Sequence, residues 1–190
     1  MISISLLRHE QRDEVAEATK DFTCRGKRHK DDDTCDVGDN YIRGGLWADL
    51  DERGITRTWV AIVDGVLGGY IALAADAVVL SGGEKKNKDL EGVRFSRYGC
   101  TQIVMLATRA DLQERDDVKV GQALVDHAVL VGRKSGGEVG ARFLAADVNP
   151  PAAGFYERSG FIALASGSDE LERKRDQGLI PMVLDLAPSA

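Results

Sequence analysis

The sequence contains few cysteines and no long apolar run. Its three cysteines in 190 residues cannot form a fully paired disulfide framework, so we expect reduced thiols in a reducing compartment. No apolar stretch approaches the roughly 18–20 residues that span a bilayer, so we expect no membrane partner. The chain begins without a basic segment ahead of an apolar run, which argues against a signal peptide. These absences together predict a cytoplasmic protein.

An excess of basic residues is also missing. The formal charge is −6 and the isoelectric point is about 5.1, which argues against a general electrostatic grip on nucleic acid. A hydrophobic content of 43% allows an ordinary globular core. At this length we expect one domain that covers residues 1–190.

The sequence does not predict a metal site either. Cys24, His29 and Cys35 lie near the acidic run 31–33, but their spacing matches no common zinc pattern. A structural zinc site normally has four ligands. The segment therefore favours an acidic surface turn, and we assign no metal.

The N-terminal region alternates between strand and helix patterns. Ile2–Leu7 alternates apolar and polar residues and predicts a half-buried strand. Glu10–Phe22 has its apolar residues on one side and predicts a helix. A second short helix is predicted over Tyr41–Leu50, although two glycines in its middle weaken it. Residues 23–40 are polar and receive no assignment.

A hairpin is predicted next. The apolar runs Thr58–Val63 and Val66–Leu80 are separated by Asp64-Gly65, a strong short-range hairpin signal. Gly68 and Gly69 inside the second run predict a bulge or a close approach of another backbone.

Residues 81–99 are predicted to be a long polar loop without regular structure. Its bases exceed its acids by two. The bases are Lys85, Lys86, Lys88, Arg94 and Arg97. Long loops are often either functional or disordered. Two interpretations of this loop are open. It is either a disordered or solvated surface, or it contacts an anionic acceptor or the nucleotide end of a cofactor.

The C-terminal half predicts further strands and helices. The predicted strands are Gln102–Thr108, Ala141–Val148, Phe161–Ala165 and Pro181–Leu186. A helix from about Val118 to Lys134 carries an apolar stripe, and Asn149-Pro150-Pro151 starts a shorter helix. The whole pattern predicts a mixed α/β sheet flanked by helices.

Two elements between Ile103 and Phe161 suggest a chemistry. A helix that opens directly after a strand and a polar loop, near Gly121, offers unpaired backbone N–H groups and a positive dipole end to a phosphate. Further on, Phe155–Phe161 (FYERSGF) places a tyrosine near a helix end, just before the next strand. Together these elements resemble the acyl-CoA N-acyltransferase superfamily called GNAT, and the resemblance covers almost the whole chain.

The resemblance implies a fold and a cofactor. The fold would be α/β, with a mixed, mostly antiparallel central sheet, flanking helices and a splayed pair of parallel strands. Acetyl-CoA would be the acyl donor, and its pantetheine arm would bond to the main chain of Leu106, Ala107 and Thr108. A backbone N–H aimed at the developing oxyanion would lower the barrier.

The pyrophosphate loop departs from the family pattern Gln/Arg-x-x-Gly-x-Gly/Ala. Gln113 and Gly121 fit its two ends, but the loop between them is about three residues longer. Lys119 stands in place of the inner glycine. Asp116 and Asp117 add negative charge near the expected pyrophosphate.

Two interpretations of this loop remain open. Either an aspartate caps the following helix while Arg115 and Lys119 contact the phosphates, or the loop no longer binds CoA well. We favour retained binding, because the rest of the pattern is intact. The predicted cofactor-binding residues are Leu106, Ala107, Thr108, Gln113, Arg115, Lys119, Val120, Gly121, Gln122 and Asn149. Asn149 ends a strand where the family contacts pantetheine, and a helix cap is its other interpretation.

Tyr156 is the predicted catalytic residue. In the family, the matching tyrosine lies near the CoA sulfur and protonates the leaving thiolate, and a phenol with a pKa of about 10 holds its proton at neutral pH. Packing beside Phe155 and Phe161 is the alternative. The implied mechanism is direct attack by an acceptor amine, without an acyl-enzyme. We assign no general base, since structural roles suit His127 and Cys100 better.

The sequence predicts only a broad class of acceptor for the acetyl group. Within the superfamily, the chain resembles the toxin acetyltransferases of toxin–antitoxin pairs, which acetylate aminoacyl-tRNA. This likeness rests on Phe22-x-Cys24, on Thr58-Trp59-Val60 leading into Gly69-Tyr70-Ile71-Ala72-Leu73, and on the FYER ending. The acidic charge disfavours tRNA, so we predict a small-molecule or protein amine, with tRNA as the alternative.

The same likeness implies partners. A homodimer and an antitoxin partner are both expected from it. A hypothesis of another class is a degenerate GNAT domain that binds a partner without catalysis, and the altered loop between residues 113 and 121 motivates it.

Overall fold

The computed structural model describes residues 1–26, 34–113, 115, 117–165 and 168–187. Its strands are β1 (Ile2–Leu6), β2 (Arg57–Val63), β3 (Val66–Val79), β4 (Arg97–Thr108), β5 (Phe143–Val148), β6 (Ile162–Ala163) and β7 (Ile180–Asp185). Its helices are α1 (Arg12–Ala18), α2 (Thr34–Arg43), α3 (Leu46–Glu52), α4 (Gly82–Asn87), α5 (Val120–Val139), α6 (Ala153–Arg158) and α7 (Asp169–Asp176). Short 3-10 turns cover His9–Gln11, Ala110–Leu112 and Pro150–Ala152.

The strands form one mixed sheet in the order β1-β2-β3-β4-β5-β7-β6. The β4–β5 pair is parallel, and the pairs β1–β2, β2–β3, β5–β7 and β6–β7 are antiparallel. The predicted class, a mixed and mostly antiparallel sheet with flanking helices, is confirmed. Among the described residues, no helix is long and apolar enough to cross a membrane.

The chain divides into two compact units. The first comprises Met1–Ala74 and Val104–Ala128, and the second comprises Ala75–Ile103 and Val129–Ala190. Strands β3 and β4 and helix α5 therefore contribute residues to both units.

The first unit contains the predicted hairpin. Strands β2 and β3 meet at Asp64 and Gly65, whose φ angles of 50° and 84° are those of a tight hairpin turn. Ala61 pairs with Gly69 and Ile62 pairs with Leu67, so Gly68 is the extra residue of a bulge. The bulge and the turn were both predicted, and both are confirmed.

The core of the first unit is built on stacked aromatic rings. Tyr41 and Tyr70 stack with ring centroids 5.5 Å apart, and Phe22 contacts Tyr70 at 5.8 Å. The Tyr70 hydroxyl donates to the Gly38 carbonyl at 2.6 Å, so its polar end is satisfied inside the core. Trp47 is fully buried in the same cluster.

A buried carboxylate ties three segments of this unit together. Asp51 on α3 accepts a hydrogen bond from the His9 backbone N–H at 3.1 Å and forms an ion pair with Arg57 on β2. Burial favours the protonated acid, but the hydrogen bonds from Arg57 and His9 outweigh it and hold the pKa of Asp51 below its usual range. The carboxylate is therefore charged and paired in the folded state.

The predicted helices of the first unit need correction. The helix predicted to reach Phe22 ends at Ala18, and Phe22 turns into the core instead. The single helix predicted over Tyr41–Leu50 is wrong: α2 and α3 are separated at Gly44-Gly45. Gly45 has a φ of 76°, which an α-helix cannot continue through, so the glycines divide the segment.

The second unit pairs β5 with strands on both sides. The parallel register with β4 runs from Cys100–Phe143 to Ile103–Ala146. On the other side, β5 pairs with β7 along its whole length, and the short β6 pairs with β7 at the sheet edge. The hydrophobic core on this sheet includes Phe143 and Val183, both fully buried.

The loop predicted over residues 81–99 is wrong at both ends: a helix forms near its start, and β4 begins at Arg97 rather than at the predicted Gln102. Gly82–Asn87 form α4, and a reciprocal capping box starts it. The Ser81 hydroxyl accepts from the Glu84 N–H at 3.3 Å, and the Glu84 carboxylate accepts from the Ser81 N–H at 2.7 Å. This Ser-x-x-Glu signal is readable in the sequence. Leu90 then anchors the segment in the core.

Two other helix predictions also differ from the structure. Helix α5 continues to Val139, past the predicted end near Lys134, and ends before Gly140, whose φ is 77°. Helix α7 forms in a charged stretch that received no prediction. The Ser168 hydroxyl starts α7 by accepting from the Leu171 N–H at 3.3 Å.

Gly69 provides a test of the packing in the first unit. A Cβ at this position would lie 2.6 Å from the Ala107 carbonyl oxygen, a backbone atom that cannot rotate away. We expect Gly69→Ala to lower the free energy of unfolding by about 1–3 kcal/mol, measured by denaturant titration.

Gly137→Ala is the control for this prediction. It also adds one methyl group, but no atom lies within 4 Å of the new Cβ, in a helix where alanine is favoured. We expect it to raise stability by about 0.5–1 kcal/mol. Equal effects of the two substitutions would contradict the proposed clash.

Candidate functional site

The predicted site residues are divided between the two units. The first unit holds Leu106, Ala107, Thr108, Gln113, Arg115, Lys119, Val120, Gly121 and Gln122. The second unit holds Asn149 and Tyr156.

The end of β4 is fixed from several directions in the first unit. Ala107 is buried, whereas Leu106 and Thr108 are half-buried. Gly69 lies against the Ala107 carbonyl and against the side chain of Val120, in the first turn of α5. The end of β4 and the start of α5 thus pack on the same residue of β3.

The chain leaving β4 is held by two backbone hydrogen bonds. The Arg109 N–H donates to the bulge carbonyl of Gly68, and the Ala110 N–H donates to the Thr23 carbonyl, each at 2.8 Å. The bulge therefore helps to hold the segment after β4, because it turns the Gly68 carbonyl toward that segment.

Gln113 is more enclosed than the sequence suggested. Its carboxamide nitrogen lies 2.7 Å from the Cys24 carbonyl oxygen and 2.9 Å from the Thr108 carbonyl oxygen. The two contacts occupy both N–H donors of the side chain.

The segment between β4 and α5 carries two arginine–aspartate pairs with the same spacing. Arg109 binds Asp111 through two hydrogen bonds of 2.7 and 2.8 Å. Arg115 also binds Asp117 through a bidentate pair of hydrogen bonds, with Nε 3.0 Å from Oδ1. The hydrogen bonds from Arg115 hold the pKa of Asp117 below its usual range. Arg115, a predicted phosphate ligand, thus already has an anionic partner.

The first turn of α5 is the predicted phosphate site. Val120 is buried, while Gly121 and Gln122 are partly exposed. The first turn of this 20-residue helix contains no acidic side chain, a composition that suits an anion near the positive end of the helix dipole. Lys119, just before the helix, is exposed.

The predicted aspartate cap of α5 is not seen at Asp117, whose carboxylate binds Arg115. Asp116, the other aspartate, lies outside the described residues.

Asn149 follows β5 in the second unit. Its carbonyl accepts from the Ala152 N–H at 2.9 Å, closing the 3-10 turn that begins with two prolines. Its side chain makes no capping hydrogen bond. The interpretation of Asn149 as a side-chain helix cap is therefore wrong.

Tyr156 lies on α6, packed between two aromatic rings. Its ring meets Phe155 and Phe161 edge-on, with centroids 5.3 and 5.2 Å away. Burial raises the pKa of the Tyr156 phenol, so the hydroxyl keeps its proton at neutral pH. The packing alternative is present in the structure, and it holds the phenol in its protonated form.

The cysteines are placed as structural residues. Cys24, Cys35 and Cys100 form no disulfide, and all three are buried. Burial raises the pKa of Cys100 to about 12, which disfavours the nucleophilic thiolate. His29 and residues 31–33 lie outside the described residues. In the part of the chain that is described, no three potential metal ligands cluster together.

His127 packs on a tryptophan, as expected for a structural histidine. Its ring lies 5.5 Å from the Trp59 ring, and its Nε2 is buried without a hydrogen-bond partner. Burial lowers the pKa of this imidazole, so the neutral form is favoured.

Three of the five bases in the stretch 85–97 are engaged within the second unit. Lys85 donates to the Phe95 carbonyl at 3.1 Å, and Arg97 pairs with Glu170 at 3.3 Å. The Lys88 side chain is 8% exposed, with its ammonium 3.9 Å from Asp185 and over the Phe143 ring. Two of the five positive charges, those of Lys88 and Arg97, are therefore paired within the protein, which weakens the suggested contact of this stretch with an anionic acceptor.

Comparison with known proteins supports the fold. No protein-family model and no curated protein matches the sequence. Among solved structures, a bacterial toxin superposes with a TM-score of 0.72 at 20% identity, over 98% of this chain and 91% of that one. AtaT complexed with acetyl-methionyl-tRNAfMet gives 0.71 at 17% identity, over 97% and 95%.

A third structure shows AtaT with one tyrosine changed to phenylalanine, bound to the C-terminus of the antitoxin AtaR and to acetyl-CoA. It gives a TM-score of 0.64 at 16% identity, over 97% of this chain and 93% of that one. The chain therefore has the GNAT fold. In particular, it is similar in fold to the toxin AtaT over nearly the whole length of both chains.

The burial of His127 predicts that the stability of the fold depends on pH. Its pKa is lower in the folded state than in the unfolded chain, so the unfolded chain gains a proton first as the pH falls. Stability is then lost below the ordinary histidine pKa of about 6.5 and down through the folded value. We expect His127→Phe, which keeps a ring against Trp59, to reduce this loss.

Thermal unfolding of both proteins between about pH 7.5 and 5 checks this prediction. The variant should gain stability relative to the wild type as the pH falls. A difference in melting temperature that does not change with pH would contradict it.

Proposed function

We propose that this protein is an N-acetyltransferase that transfers an acetyl group from acetyl-CoA to an acceptor amine by direct attack. The observation that carries the proposal is the full-length likeness in fold to AtaT, a toxin solved with acetyl-CoA. The composition of the first turn of α5 supports it, because a helix start without acidic side chains suits a pyrophosphate.

The family resemblance suggests the cofactor contacts. The N–H groups at Val120, Gly121 and Gln122 and the side chains of Arg115 and Lys119 would face the phosphates. The main chain of residues 106–108 would bind pantetheine, and the Asn149 carboxamide, which caps no helix, would assist.

Tyr156 would serve as the acid. The amine nitrogen forms a bond to the thioester carbonyl carbon, the carbon–sulfur bond breaks, and the sulfur takes the phenolic proton. The phenolate then regains a proton from water, and the amine gives its excess proton to solvent. Burial of the phenol fits this role, since it keeps the proton in place until a strong base forms nearby.

Calorimetric titration with acetyl-CoA tests the proposal directly. Binding in the micromolar range is the expected result. No binding at millimolar concentrations would overturn the enzyme function and favour the degenerate, non-catalytic module.

Tyr156→Phe tests the acid. We expect kcat to fall by about a hundredfold, with little change in the KM for acetyl-CoA, because the ring contacts with Phe155 and Phe161 remain. Steady-state kinetics and a melting curve provide the two measurements.

Tyr98→Phe is the matched control. Tyr98 is also a buried tyrosine of the second unit, its ring meets Phe143 edge-on, and its hydroxyl has no hydrogen-bond partner. It should keep full activity. Full turnover by the Tyr156 variant would remove that residue from the chemistry.

The Arg115–Asp117 pair generates a further prediction. If Arg115 binds phosphate, Asp117 competes with the ligand for its guanidinium. We therefore expect Asp117→Asn to tighten acetyl-CoA binding by about threefold to tenfold, measured by calorimetry.

Asp111→Asn controls for the change in charge. It removes the same charge from the equivalent pair with Arg109, which has no assigned ligand. It should leave affinity nearly unchanged. Equal tightening in both variants would indicate a general charge effect, and weaker binding in the Asp117 variant would exclude Arg115 as a ligand.

We propose a small-molecule or protein amine as the acceptor, with aminoacyl-tRNA as the specific alternative. The structure of AtaT with acetyl-methionyl-tRNAfMet favours the alternative. The acidic charge and the internal pairing of Lys85, Lys88 and Arg97 argue against it. Acetylation assays with aminoacyl-tRNA beside polyamines, aminoglycosides and amino acids would decide between them.

We also propose protein partners for this chain. AtaT was solved with the C-terminus of its antitoxin, which supports an antitoxin partner for this chain. A homodimer and a single domain over residues 1–190 are proposed on the same likeness.

A further inference from the structure

The carboxamide of Gln113 is held between two distant backbone segments of the first unit. It donates to the Cys24 carbonyl at 2.7 Å and to the Thr108 carbonyl at 2.9 Å. Cys24 lies 89 residues earlier in the chain, whereas Thr108 is the last residue of β4. The side chain thus joins the end of β4 to the segment after α1.

The other side of the carboxamide is also fitted. A Cβ built on Gly26 would lie 2.4 Å from the Gln113 Oε1, so the backbone at Gly26 passes directly over this oxygen. Neither end of the carboxamide is left free to turn toward a ligand without losing its present contacts.

The segment that Gln113 grips is itself anchored. The Cys24 N–H donates to the buried carboxylate of Asp39 on α2 at 2.8 Å. The Thr23 carbonyl accepts from the Ala110 N–H at 2.8 Å. Residues 23–26 therefore form a fixed support, and the chain after β4 is attached to it at Ala110 and at Gln113.

We propose that Gln113 is a positioning residue: it fixes the end of β4 and the loop leading to α5, and it does not contact phosphate. This inference rests on the proposed function, because the loop matters only if it binds acetyl-CoA. The physical reason is the cost of release, since turning the carboxamide away would take these donors from the Cys24 and Thr108 carbonyls.

Hydrogen exchange of the protein without ligand tests the clamp itself. Gln113→Met keeps the length of the side chain and removes both donors. We expect the Ala110 amide to exchange about tenfold faster in this variant, while amides of the β1–β2 pair keep their rates. Gln177→Ala, at the exposed end of α7, removes a glutamine elsewhere and should change neither set.

Two acyl donors separate positioning from phosphate contact. S-acetylpantetheine carries the thioester arm without the nucleotide phosphates. If Gln113 positions the loop and the end of β4, the variant should lose kcat/KM by a similar factor, about tenfold, with acetyl-CoA and with S-acetylpantetheine.

A loss confined to acetyl-CoA, with unchanged exchange at Ala110, would overturn the proposal and make Gln113 a phosphate ligand. Unchanged exchange with no kinetic effect would also overturn it. If the wild type binds no acetyl-CoA, the proposed function fails by itself. The exchange comparison then still decides whether the clamp exists.

Discussion

The rest of the first unit depends on the absence of a side chain at Gly69. The backbone of β3 comes so near to the Ala107 carbonyl that no Cβ fits between them, and the first turn of α5 packs on the same spot through Val120. The neighbouring bulge carbonyl of Gly68 holds the first residue after β4. One close approach therefore sets the strand end proposed for pantetheine and the helix start proposed for pyrophosphate, so their relative position is determined by packing rather than by the variable loop between them.

The parts of the fold that follow from short-range chemistry were predictable. Asp64-Gly65 specifies its own turn, and the glycine pair after it signals a bulge without reference to the rest of the chain. The capping box of Ser81 and Glu84 is an equally local signal, whereas the polar composition of this stretch by itself predicts a loop. The Tyr41–Tyr70 stack and the Gln113 clamp join residues far apart in sequence, and no local pattern announces them.

In the candidate site, too, some features follow from local sequence and others do not. The positions of the α5 start and of Tyr156 follow from periodicity and from the FYERSGF segment. The hydrogen-bond partners of the side chains do not follow from the sequence. Sequence spacing suggested that Gln113 and Arg115 would be free to meet phosphate, whereas the structure gives each a protein partner first. The Arg-x-Asp repeat at 109–111 and 115–117 was visible, and its pairing would have predicted a loop that is largely neutralised by its own side chains.

The internal contacts of Lys88 and Arg97 have a consequence for encounter rates. Lys88 pairs with Asp185 and Arg97 pairs with Glu170, so these two bases add little to a steering field. With a formal charge of −6 on the whole chain, a polyanion approaching by diffusion meets net repulsion within the Debye length, which is roughly 10 Å at 0.1 M salt. Added salt would therefore speed its capture, the opposite of the behaviour of proteins that collect nucleic acid through a basic surface.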